Sequence, residues 1–227
     1  MKQSGTTALL QGAVQDLASS VVSDLHGGGH APPADPAGGP GRDLELAAAR
    51  VLGADLLMPA LLHRAPLTQD RIDLVTGTLD AFPPRPRAAP TLLWSHWAMA
   101  RAARLADASG AAPEEPDAAW IDGVPWPFLT HQLAVLAPLA LPGLECAPTR
   151  VARDRTLDLA RGFVRAVRRR DWQQAAGAGR WLATLEKVPD TLGLDAGLDF
   201  VELMGGSDAR VLLQVRTARL LGTGVLV

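Results

Sequence analysis

Between residues 4 and 25 the apolar positions Leu10, Val14, Leu17, Val21 and Leu25 recur at intervals of three and four. That spacing lays one oily stripe along a helix and predicts an amphipathic docking helix at the N-terminus. Residues 26–42 break the pattern, because six Gly and four Pro make up ten of their 17 positions. Neither residue type sustains a helix or a strand ladder, so this stretch reads as a mobile linker.

Helical periodicity returns at residue 43. Asp43 is placed to cap a helix over 43–63, with Leu52, Leu56 and Leu57 facing inward and Pro59 kinking its end. Thr68 caps a helix over 69–82 that aligns Ile72, Val75 and Leu79, and Thr91 caps one over 92–108, ended by Ser109 and Gly110. Residues 83–90 and 111–127 read as loops, and 130–141 as a short apolar segment containing Pro138. Four more helices follow over 149–170, 172–187, 192–204 and 207–221, with Gly222 at the end of the last. The pair joined at Asp171 has the outline of a repeat hairpin, its helices brought close by Ala160, Ala166, Ala175, Ala176 and Gly179. No second copy aligns at a period of about 30–50 residues, so a tandem array is not expected. The expected fold is all-α, an irregular multi-helix bundle of antiparallel helices with an N-terminal helix tethered by a Gly/Pro-rich linker. Its parts are residues 1–25, the linker 26–42 and a helical domain over 43–227.

Composition supports helix. Ala (39) and Leu (36) head the usage, while Val (16) and Ile (2) are scarce. Arg outnumbers Lys by 20 to 2, and Asn and Tyr are absent, a bias that points to a GC-rich bacterial genome rather than to guanidinium chemistry. A net charge of -2 argues against a dedicated nucleic-acid binder. Cys146 is the only cysteine, which excludes an intramolecular disulfide and a Cys-based zinc site. Gln11, Gln15 and Asp16 interrupt any signal-peptide core, and Pro125, Pro127, Pro138 and Pro142 interrupt the uncharged stretch 123–144. No membrane span is expected, and the localisation expected is cytoplasmic.

Catalytic signatures are weak. His26 to Gly29 spells HGGG, but no G-x-S-x-G follows to supply a nucleophile, and linker composition accounts for it. His26 and His30 on such a linker predict adventitious metal binding at most. There is no P-loop, no dinucleotide fingerprint around Gly222 and Gly224, and no HExxH, so neither cofactor nor metal is expected. A Cys146–His131 pair lacks a third orienting group. Pro83 to Pro86 contains a P-x-x-P register and reads as a stiff connector.

Two charged segments stand out. Residues 150–170 carry a formal +6, with Arg161, Arg165 and Arg168 on one helical face; residues 186–208 carry -5, with Asp195, Asp199 and Glu202 aligned. Each reads first as a solvated stripe, and their opposite signs are compatible with pairing inside one chain or between two. Trp94, His96 and Trp97 form the most distinctive cluster, expected to pack a core or else to line a pocket with Trp120, Trp126 and His131.

These features predict a noncatalytic protein-interaction or regulatory adaptor. Its partner or second copy would dock through Leu10, Val14, Leu17 and Val21 or through Arg161, Arg165 and Arg168. The competing expectation is a bundle that binds or transforms a small apolar molecule, with His96 or His131 as its titratable group.

Overall fold

The computed structural model describes residues 2–27, 40–107, 113–141 and 143–223. It is 76% helical without strands among the described residues, an all-α multi-helix bundle. The expected linker falls mostly on 28–39, and the expected stop at Ser109 and Gly110 on 108–112; both lie outside the described residues.

The first helix, α1 (Lys2–Leu25), turns its stripe inward. Val14, Ala18, Val21, Val22 and Leu25 are buried in the core, and Leu10 and Leu17 pack against it. The apolar face expected to meet a partner is therefore occupied by this chain's own helices. Gln15 fixes the docking: its amide donates to the Asp208 carboxylate at 2.8 Å and accepts from the Ala209 N–H at 2.7 Å.

The single helix expected over 43–63 is three pieces: α2 (Pro40–Leu52), a 3-10 turn (Gly53–Leu57) and α3 (Met58–His63). The break falls at Gly53 rather than Pro59, because Gly53 takes φ 57, a conformation costly for other residues. Pro59 sits instead in the first turn of α3, where its missing N–H costs nothing. Leu52, Leu56 and Leu57 face inward as expected.

Next come α4 (Gln69–Ala81), capped by Thr68, and α5 (Pro90–Asp107). After a loop, α6 (Trp126–Val135) leads through a 3-10 turn (Ala137–Leu139) to α7 (Ala147–Asp154) and α8 (Thr156–Arg168). The expected continuous helix over 149–170 is broken at Arg155. Its guanidinium holds the Val124 carbonyl at 2.6 Å and the Asp158 carboxylate, a cross-tie that a straight helix would lose. The chain ends in α9 (Trp172–Ala183), α10 (Leu194–Gly205) and α11 (Ala209–Gly222).

Helix α9 is the axis of the C-terminal half. Every residue from Ala175 to Leu182 is buried, and α6, α8, α10 and α11 pack around it. Small residues permit that crowding: a Cβ on Gly177 would lie 2.5 Å from the Ala134 carbonyl oxygen, and one on Gly162 would lie 2.5 Å from Thr130. One run, 41–63, is long and apolar enough to cross a membrane by length and composition, and 56% of its most apolar window is buried inside the molecule.

Candidate functional site

The aromatic and histidine residues singled out in the sequence do not converge. Trp94 and Trp97 are buried, packed edge to face with ring centroids 5.2 Å apart. Their indole N–H groups donate to the carbonyls of Asp117 and Pro113, each at 3.1 Å, and so fasten the 113–121 loop onto α5. Trp120 packs at the edge of the core, and His131 is exposed on α6. Trp126 opens α6 and carries the Arg165 guanidinium over its ring at 5.5 Å. Of these residues, His96 lines one sizeable cleft and Trp126 a separate groove along α8. Sequence position could not reveal this: His96 lies two residues after Trp94 and one before Trp97, and both indoles are buried in the core while it borders the cleft.

That cleft has two adjoining parts. One, of about 700 Å³, is walled by Arg50, the 83–88 loop, Ser95 and His96. The other, of about 410 Å³, is walled by Leu10, Val51, Leu92, Val135 and Leu139. Arg50, Gly53, Phe82, Leu92 and Ser95 belong to both. The Arg50 guanidinium lies 4.9 Å over the Phe82 ring. Burial and then the nearby Arg50 charge hold the His96 imidazole below its ordinary value. The P-x-x-P stretch, expected as a plain connector, thus forms a rim of the cleft.

The second surface is the outer face of α8. Leu157, Arg161, Val164, Arg165 and Arg168 line an open groove that Trp126, Pro189 and Leu192 complete. Leu157 is 60% exposed. Arg161 reaches Asp158 at 3.2 Å, whereas Arg165, Arg168 and Arg169 meet no carboxylate among the described residues. The acidic stripe of α10 does not serve them. Asp199 pairs with Arg219, and Glu202 with Arg216 and Arg219, all on α11. On its outward side α10 instead exposes Phe200, Leu203 and Met204, with Leu203 79% exposed.

The most elaborate polar cluster escaped the sequence. Arg180, in the last turn of α9, is fully buried and pairs with Asp55 of the 3-10 turn after α2. Gln214 of α11 closes the ring, accepting from Arg180 at 2.9 Å and donating to the other Asp55 oxygen. The Met58 sulfur (3.1 Å) and the Pro138 carbonyl (3.5 Å) take Nη2, while the buried Nε has no partner among the described residues. Three partners at sequence separations of 125, 34 and 159 leave no local signal. The Arg180 and Asp55 side chains line neither groove, Pro138 also borders the apolar part of the cleft, and the cluster joins the 3-10 turn, α9 and α11.

Neither nucleophilic nor metal chemistry gathers elsewhere. Burial pushes the Cys146 thiol up, and its sulfur sits 3.1 Å from the Thr149 hydroxyl; His131 is not a partner. No group of three metal-ligating side chains occurs among the described residues. No family model, no curated protein and no solved structure matches the chain. What fold and surfaces define is an all-α bundle with one mixed cationic-apolar cleft and one cationic-apolar groove.

Proposed function

We propose that the protein is a noncatalytic interaction module whose docking face is the outer side of α8, and that its first occupant is α10 of a second copy. The observation that carries this reading is the unmatched charge on α8. Arg165, Arg168 and Arg169 stand beside exposed Leu157 and Val164 without a carboxylate among the described residues, while Asp199 and Glu202 of the acidic stripe are engaged by α11. Exposed apolar side chains interleaved with unpaired cations suit a helix bearing both carboxylates and apolar residues. The outward side of α10 is such a helix, with Asp195 in no ion pair among the described residues and Phe200, Leu203 and Met204 exposed. Each copy offers both faces, so a two-fold pair can use each face twice.

Sedimentation velocity over a range of concentrations tests it. The expected result is a reversible dimer that weakens between about 0.05 and 0.5 M salt as screening grows. It should be lost in Arg165→Glu/Arg168→Glu, whose exposed positions leave the fold intact. A chain that stays monomeric at every concentration, or a dimer indifferent to the double substitution, overturns the proposal.

A further inference from the structure

The cleft beside His96 carries a second inference, independent of the α8 face. We propose that it binds an anionic amphiphile, a hydrocarbon body ending in one negatively charged group. The group would sit among Arg50, Arg85, Arg87 and His96, and the body along Val51, Leu92, Val135 and Leu139.

The argument begins with what lines the space. The residues around the two parts include three arginines, one histidine and one serine, and no Asp or Glu. A concave wall with cations of one sign focuses potential and draws an anion. Arg50 lies over the Phe82 ring, and neither it nor Arg85 nor Arg87 makes an ion pair among the described residues. Ser95 and His96 likewise give their side-chain hydrogen bonds to no described protein group. Five polar side chains facing one space with their capacity unspent are what a bound oxyanion needs.

The adjoining part differs. Apart from Arg50 and Ser95 its walls are apolar, and Val51, Leu92 and Val135 at its mouth are each about half exposed. Three large aliphatic side chains left in water around one opening are unfavourable unless something covers them. The volumes, about 700 and 410 Å³, lie within the range of small-molecule sites. A purely apolar ligand would leave the arginines idle, and a small anion would leave the aliphatic mouth wet. One molecule with both characters answers both.

Backbone geometry adds weight. Arg87 holds φ 64, a left-handed conformation unfavourable for a residue with a side chain, in a turn closed by the Ala88 N–H donating to the Arg85 carbonyl at 3.0 Å. The strained turn keeps two guanidinium-bearing residues at one rim.

Isothermal titration calorimetry of the full chain with decanoate, held below its micelle concentration, is the test, with decan-1-ol, acetate and phosphatidylglycerol vesicles as the other arms. Decanoate should bind one to one, and decan-1-ol and acetate each at least about tenfold more weakly, since each lacks one half of the recognition. Arg85→Gln/Arg87→Gly should weaken decanoate by about tenfold. Glycine relieves the left-handed turn, so this variant should melt no lower than the parent. Val135→Glu should weaken decanoate comparably by placing a charge in the apolar mouth. The NMR titration of the His96 imidazole should move up when decanoate is bound, because an anion offsets the Arg50 charge. Equal affinity for decanoate and decan-1-ol, indifference to both variants, or binding to vesicles without binding to free decanoate would each overturn the proposal.

Discussion

At the scale of single residues, Arg180 dominates. Its guanidinium is taken out of water inside the bundle, and only Asp55, Gln214, Met58 and the Pro138 carbonyl compensate it. Burying an ion pair is not in itself stabilising, but orphaning one member is costly. Asp55→Ala should therefore lower unfolding free energy by about 3–5 kcal/mol, while Asp55→Leu/Arg180→Met, which removes both charges, should cost far less. Urea denaturation of the three proteins measures this, and a double variant as unstable as the single one contradicts it. What the cluster supplies is registry: the 3-10 turn, α9 and α11 meet in one arrangement that pairs all three side chains, with the Arg180 Nε alone left without a partner among the described residues.

At the scale of elements, the joint between α8 and α9 shows how the chain turns without the usual residue. The Asp171 N–H donates to the Ala166 carbonyl and the Arg170 N–H to the Val167 carbonyl, each at 3.0 Å, the paired bonds of a Schellman ending. Glycine normally fills the left-handed position; here it is Arg170, at φ 57. Arg170→Gly should raise stability by about 1 kcal/mol, whereas Arg170→Ala, which keeps a Cβ, should not. Thermal melting of both variants decides it. Arg64 and Arg87 are the other described left-handed positions with a side chain. In a chain without Asn, the residue that most readily joins Gly there, arginine fills all three.

Element-scale reading of the sequence succeeded where the signal is local. The cap expected at Thr68 accepts the N–H three residues on, and the interval of three and four marks helices well, whereas Asp43 and Thr91, expected as caps, lie inside α2 and α5 because Pro40 and Pro90 open those helices earlier. It failed where a tertiary contact decides. The break at Arg155 depends on the distant Val124 carbonyl, and the break at Gly53 accompanies the inward turn of Asp55. The cleft was only partly legible. His96 was singled out beside Trp94 and Trp97, but Arg50, Arg85 and Arg87 come from separate stretches that only packing brings together.

At the scale of the whole molecule, Asp208 ties together the first, middle and last helices. It caps α11, receives Gln15 of α1 and receives Gln173 of α9 at 3.0 Å. Burial pushes its carboxyl up, but the bonds from Arg210, Gln15 and Gln173 outweigh this and hold it well below the usual carboxylate range. A carboxyl depressed in the folded state contributes stability above its ordinary value of 3.8 and loses that contribution as pH falls toward the folded value. The stability gap between the parent and Asp208→Asn should therefore narrow from about pH 5 down to about pH 2. Urea midpoints across that interval measure it, and a gap that stays constant would show that the carboxylate charge contributes nothing.

Leu10 lies on the same helix that Gln15 fastens, and it forms part of the wall of the apolar half of the cleft. Seating of the amino-terminal helix and occupancy of that recess are therefore reciprocal: whatever fills the recess also clasps the helix, and whatever loosens the helix releases the guest.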